Sequence, residues 1–223
     1  MTLHPTQTAP TLSLPLTGGG STDELALGSG ADGRFSLVVF FRGLHCPVCR
    51  KQLGELDRRL VDLNDAGVGR VLAVSMETPE RSAQLVEQWH LRNLPVACGL
   101  TEASAREWGS FISTAIKDGE DPVFNEPGMF VLDADGTLFW SSVSSMPFGR
   151  PAIDDVLAAC SLPRRANTRP GEPPEAVPER FWIRSGTFTP CVRWSQPFVR
   201  SGRLSRFDPR YPPRGHFRMP YPA

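Results

Sequence analysis

A run of seven residues, FSLVVFF (Phe35–Phe41), apolar except for Ser36, leads almost directly into HCPVC, and leucines at 53, 56, 60 and 63 follow. The run is short, β-branched and aromatic, as a strand buried on both faces requires. The leucines recur at helical spacing and mark one apolar stripe. A buried strand that passes through a cysteine pair into an amphipathic helix restricts the chain to folds with a βα unit around a central sheet.

The pattern continues in alternation. Asp65-Ala66-Gly67 ends the first helix, and Arg70–Ser75 (RVLAVS) reads as a second buried strand. Pro79–His90 is predicted helical, with Leu85, Val86 and Trp89 facing the core. Leu94–Ala97 is a short third strand and Thr101–Phe111 another helix, with Trp108 as packing. Met129–Leu132 and Thr137–Val143 are strands joined by Asp133-Ala134-Asp135-Gly136, whose Asp-Gly pair is a hairpin signal. Asp133 and Asp135 are read as turn formers rather than metal ligands. Pro151–Ala159 closes as a helix, with Ile153, Val156 and Leu157 on one side. Alternation implies a parallel βαβ unit and the hairpin adds antiparallel strands. The expected fold is α/β and thioredoxin-like: a mixed central sheet flanked by helices.

Net charge is zero over the 223 residues, but it is unevenly placed. From Arg164 to Ala223 there are twelve Arg, no Lys and four acids, so residues 1–163 carry a net −8. Eleven of the 22 prolines also lie after residue 163. The domain is therefore expected at 1–162, with an irregular Arg/Pro-rich extension at 163–223. Arginine interleaved with Phe, Trp and Tyr there suits stacking on single-stranded nucleic acid. The favoured reading is instead a poorly ordered extension with no nucleic-acid partner. Its composition is also that of a GC-rich gene read out of frame, the hypothesis carried for it.

No uninterrupted apolar run is longer than Leu37–Phe41, and that length is far below the roughly 20 residues of a membrane helix. The start, MTLHPTQTAPTLSLPL, lacks a basic region followed by an apolar core. A cytoplasmic location is expected, where a close cysteine pair is redox-active or metal-bound more often than structural. Zinc needs about four ligands. Cys98, Cys160 and Cys191 are isolated, and Cys98 and Cys160 read as small buried hydrophobes. A redox pair is therefore favoured over a metal clip or an inert one, and neither metal nor cofactor is expected. Pro47 suits the first helical position, which makes Cys46 the N-cap and Cys49 a first-turn residue. Backbone N–H groups and the helix dipole stabilise a thiolate at that end. Arg42, His45 and Arg50 add nearby positive charge.

With these residues in view, the chain resembles the peroxiredoxin-like branch of the alkyl hydroperoxide reductase C/thiol-specific antioxidant family. The resemblance rests on APTLSLPLTGG, VVFFRGLHCPVCRKQLGEL, RVLAVS and EPGMFVLDADGTLFWSSVSSMPFGRPAIDDVL, in order from about Ala9 to Ala159. It implies a thioredoxin fold and thiol-based reduction of hydroperoxides or protein disulfides. It makes Arg150 the arginine that lowers the cysteine pKa and polarises peroxide; Arg42, as a nearby positive charge, is expected to support the thiolate as well. It places Pro127 as a cis-proline facing the pair; His45 and Pro47, which flank Cys46, are expected beside the substrate. The implied partners are a small hydroperoxide or disulfide substrate and a thioredoxin-like dithiol donor, and a homodimer is admitted.

The family motif Pro-x-x-x-Thr-x-x-Cys is not reproduced. Aligning Cys49 with its cysteine puts Cys46 at the threonine and Arg42 at the proline. Aligning Cys46 instead puts Gly43 and Val39 there. Helix position favours Cys46 as the attacking sulfur and the first alignment favours Cys49; the expectation taken forward is Cys46. The alternatives are a protein disulfide reductase without peroxide preference and a non-catalytic redox-sensing or binding module.

Overall fold

All six residues of strand β1 (Phe35–Phe40) are buried, because the strand lies at the centre of a five-stranded sheet. It runs parallel to β2 (Val68–Val74) and antiparallel to β6 (Gly128–Asp133). The order is β3-β2-β1-β6-β7, with β3 at Val96–Ala97 and β7 at Leu138–Val143. The computed structural model describes residues 3–25, 27 and 33–161, so the extension expected at 163–223 lies outside the described residues. Among the described residues no helix is long and apolar enough to cross a membrane.

Period two along β1 builds both layers of the core. Leu37 and Val39 join Leu53, Leu56, Trp89, Met129 and Ile153 on one face. Val38 and Phe40 join Leu72, Val74, Trp108, Phe130 and Leu138 on the other. That is why the run is apolar from Leu37 onward, with Ser36 its one polar residue and buried as well. On the first face lie α1 (Pro47–Arg58), α3 (Pro79–Trp89) and α5 (Ile153–Ser161), each contributing buried residues to that cluster. Leu53 has no exposed surface. Truncating it in Leu53→Ala is expected to cost about 2–5 kcal/mol, read as a lowered urea midpoint.

This is the thioredoxin-like plan the alternation predicts, with local differences. The helix expected to carry all four leucines breaks at Arg59 (φ −108, ψ 18), giving α1 and then α2 (Leu60–Asp65). The Arg59 guanidinium there binds Glu55, Asp62 and Asp154. Helix α4 is shorter than expected, Glu102–Glu107. Gly109, at φ +78, takes the left-handed conformation after the cap, and Ser110 N–H donates to Ala105 O at 2.9 Å. The final helix starts two residues after Pro151, at Ile153. A small antiparallel pair, β4 (Ile112–Thr114) and β5 (Val123–Asn125), had no sequence signal; three residues are too few to show a period.

Candidate active site

Cys46 is the N-cap of α1, in extended geometry (φ −99, ψ 103), with Pro47 opening the helix. Its Sγ accepts from Cys49 N–H at 3.2 Å. Gly43 O accepts from Cys46 N–H at 3.1 Å, so a four-residue turn delivers the cysteine to the helix. Both sulfurs are free thiols and both residues are buried. The i, i+3 spacing places both on one helix face, at the end of the sheet where β1 leaves it.

Arg150 arrives from the loop before α5. Its Nη2 donates to Cys49 Sγ at 3.1 Å and to Cys46 Sγ at 3.8 Å. Nη1 donates to Gln52 Oε1 at 2.5 Å, and Nε to Pro147 O at 2.8 Å. With these contacts the planar fork is fixed against the sulfurs. Gln52 completes the chain by donating to Met129 Sδ at 3.5 Å.

These contacts split the two thiols. The hydrogen bond with the Cys49 thiol, followed by Cys49 N–H and the charges of Arg150 and Arg42, outweighs burial and lowers the Cys46 pKa to about 6. Burial first, then the hydrogen bond and charge of Cys46, pushes Cys49 well above the ordinary thiol range. Arg150 is nearer to Cys49, yet the negative charge rests on Cys46. Cys46 has the helix N-terminus, whereas Cys49 lies deeper. The pair therefore shares one proton, as a Cys46 thiolate beside a Cys49 thiol.

The other expected site residues are distributed differently. Arg42 does not face the sulfurs. Its Nε lies 3.4 Å from Glu126 Oε2, its Nη2 3.9 Å from Glu120 Oε1, and its guanidinium sits 4.5 Å over the Phe124 ring. Its charge favours the Cys46 thiolate less than that of Arg150 does. His45, expected to add positive charge, sits where the charged form is disfavoured. Its ring packs 4.8 Å from Phe124, and burial, then Arg42, lowers its pKa. Pro127 lines a cleft with Gln52, Met129 and Arg150, but its peptide bond is trans, which corrects the cis expectation. The chain runs from β5 into β6 across Glu126-Pro127, and a residue before proline favours the extended backbone such a run needs. Cys98 and Cys160 are buried, and burial raises both thiols, Cys160 to about 11.

Two residues at this end of the sheet escaped the sequence reading. Gln52 orients Arg150; a polar residue among Cys49, Leu53 and Leu56 on the buried side of α1 was the available signal. Glu77 follows β2, and its Oε1 accepts from Leu44 N–H at 2.6 Å. Nothing local marked it. His45, Glu77 and Asp121 bring one ligand atom each within 4.8 Å of one another. Both carboxylates already bind Arg81, however, so a cation there would have to displace a guanidinium.

Comparison with known proteins agrees with this architecture. The family model described as the AhpC/TSA family matches residues 5–141. Among solved structures, reduced Prx3 from Vibrio vulnificus in complex with hydrogen peroxide is 16% identical with a TM-score of 0.59. The match covers 71% of this chain and 99% of that one. A peroxiredoxin-like protein from Aquifex aeolicus is 18% identical, TM-score 0.56, covering 72% and 87%. A cysteine-to-serine mutant of peroxiredoxin 6 from Arenicola marina is 15% identical, TM-score 0.57, covering 76% and 81%. No curated protein matches the chain.

Proposed function

The chain belongs to the AhpC/TSA family and is a peroxiredoxin-like thiol peroxidase; we propose that it reduces hydroperoxides through the Cys46–Cys49 pair, with Cys46 as nucleophile. The observation that carries this reading is the Arg150 fork reaching both sulfurs while Cys46 occupies the helix N-cap. The Cys46 thiolate attacks one peroxide oxygen. The O–O bond breaks, the departing oxygen takes a proton and leaves as alcohol or water, and Cys46 becomes a sulfenic acid. The Cys49 thiol then attacks the Cys46 sulfur; a disulfide forms and water leaves. A thioredoxin-type dithiol donor reduces the disulfide by exchange and is itself oxidised. Arg150 stabilises the thiolate and polarises the peroxide, and Gln52 and the Pro147 carbonyl orient it. Pro127 and Pro47 shape the approach, while His45 and Arg42 hold the loop that carries Cys46.

One observation favours a second reading, a protein disulfide reductase: the threonine of the family motif is missing in either alignment, its place taken by Gly43 or by Cys46. The two are separated by mixing reduced protein with one equivalent of hydroperoxide and mapping its thiols. Loss of two thiols as a Cys46–Cys49 disulfide, restored by a thioredoxin-type donor, is expected. Its rate should rise with pH to a plateau through a midpoint near 6, because only the ionised Cys46 attacks. Reduction of insulin without consumption of peroxide would establish the reductase instead.

A further inference from the structure

Parallel pairing of β1 and β2 places the loops that follow them side by side. One carries Cys46; the other carries Glu77, 33 residues further along than the backbone group it holds. The Glu77 side chain has no exposed surface. Oε1 accepts from Leu44 N–H at 2.6 Å, and Oε2 from Arg81 Nε at 2.6 Å. Arg81 also binds Asp121, at 3.1 Å. The backbone of Glu77 is itself fixed, with its carbonyl accepting from Gly99 N–H at 2.9 Å.

The contact falls on the turn that delivers Cys46. Gly43 O accepts from Cys46 N–H, and Leu44, inside that turn, has its N–H on Glu77. Gly43 stands at φ +131, and a Cβ there would collide with the Glu77 carboxylate. Glycine is thus required on two counts: backbone angle and closeness of the carboxylate. A buried carboxylate needs strong partners to offset its lost hydration, and a charge-assisted bond to a backbone N–H is among the stronger ones. Glu77 has one partner in Arg81 and the other in the turn.

We propose that Glu77 is a positioning residue for Cys46: its buried carboxylate clamps the Gly43–Cys46 turn from the neighbouring loop and holds the sulfur at the N-cap of α1. Cys46 as nucleophile rests on the function proposed above; the clamp does not. Cys49 and Arg150 face Cys46 directly, and Arg42 acts on it from its own loop. Arg81, Asp121 and His45 surround the Glu77 carboxylate. Loosening the turn moves the sulfur off the helix N-terminus and away from Arg150, weakening both anion-stabilising contacts together.

The test is alkylation of the reduced full-length protein by iodoacetamide across pH, with mass mapping of the labelled cysteine. The wild-type midpoint for Cys46 is expected near 6. Glu77→Ala and Glu77→Asp, which remove or withdraw the acceptor, are expected to raise it by about one pH unit, an order-of-magnitude loss of thiolate below the midpoint. Glu77→Gln keeps an oxygen for Leu44 N–H and is expected to stay within about 0.3 unit of wild type. A wild-type midpoint in folded Glu77→Ala or Glu77→Asp overturns the clamp, as does Glu77→Gln shifting as far as Glu77→Ala. Should Glu77→Ala fail to fold, the Asp and Gln variants decide. A wild type that consumes no peroxide, with the midpoints ordered as expected, overturns the proposed function and leaves the clamp standing.

Discussion

Cys46→Ser is expected to reduce hydroperoxide turnover to background, a loss on the order of 10⁴-fold or more, because the reaction then has no ionised nucleophile. A serine hydroxyl at the same N-cap keeps the acceptor for Cys49 N–H, so the fold should persist and the loss be chemical. Cys49→Ser should behave differently. The Cys46 thiolate keeps the helix N-terminus and Arg150, so the first equivalent of peroxide is still consumed. Sulfenic acid then accumulates, because the resolving thiol is gone. A sulfenic-acid-specific label followed by mass mapping distinguishes the two variants. Should Cys46→Ser keep full turnover while Cys49→Ser loses the first oxidation, the attacking sulfur is Cys49. That outcome would match the alignment placing Cys46 at the threonine of the family motif.

The second large effect concerns Arg150. Its Nη2 touches both sulfurs, and its other two nitrogens are bound to Gln52 and Pro147. Replacement by Met keeps much of the aliphatic stem and removes the fork. Two consequences follow. The Cys46 midpoint rises, because a cation that favours the thiolate is lost. The rate constant for peroxide falls further than the change in ionisation explains, on the order of 10²-fold, because a donor aimed at developing negative charge is also lost. Measuring the rate well above the new midpoint, where the thiolate is fully formed in both proteins, separates the two. If the rate there equals wild type, Arg150 acts on the thiol alone. Arg150→Lys should recover little, since one ammonium cannot hold Gln52, Pro147 and both sulfurs in one plane.

Much of the architecture was legible in the chain because its signals are local. The apolar run at Phe35–Phe41 announced a strand buried on both faces, and the leucines after the cysteine pair announced the helix packed against it. The Asp-Gly pair at 135–136 marked the hairpin, and Pro47 after Cys46 placed a sulfur at a helix N-terminus. Where local signals were short or conflicting, reading failed. The three-residue strands β4 and β5 carry no period, and the break at Arg59 interrupts a leucine stripe that continues across it.

The chain alone thus determined that a redox-capable pair sits where a central strand passes into a helix, since propensity, periodicity and capping act between residues a few positions apart. Only the tertiary structure decided how charge is distributed around that pair. Arg150 lies about a hundred positions beyond the sulfurs it touches, and the Arg42 guanidinium, four residues before Cys46, turns away to Glu126 and Phe124. Glu77 meets the cysteine loop because β1 and β2 are parallel neighbours. Electrostatic interaction depends on separation in space and on depth from water, and neither is written in the order of residues.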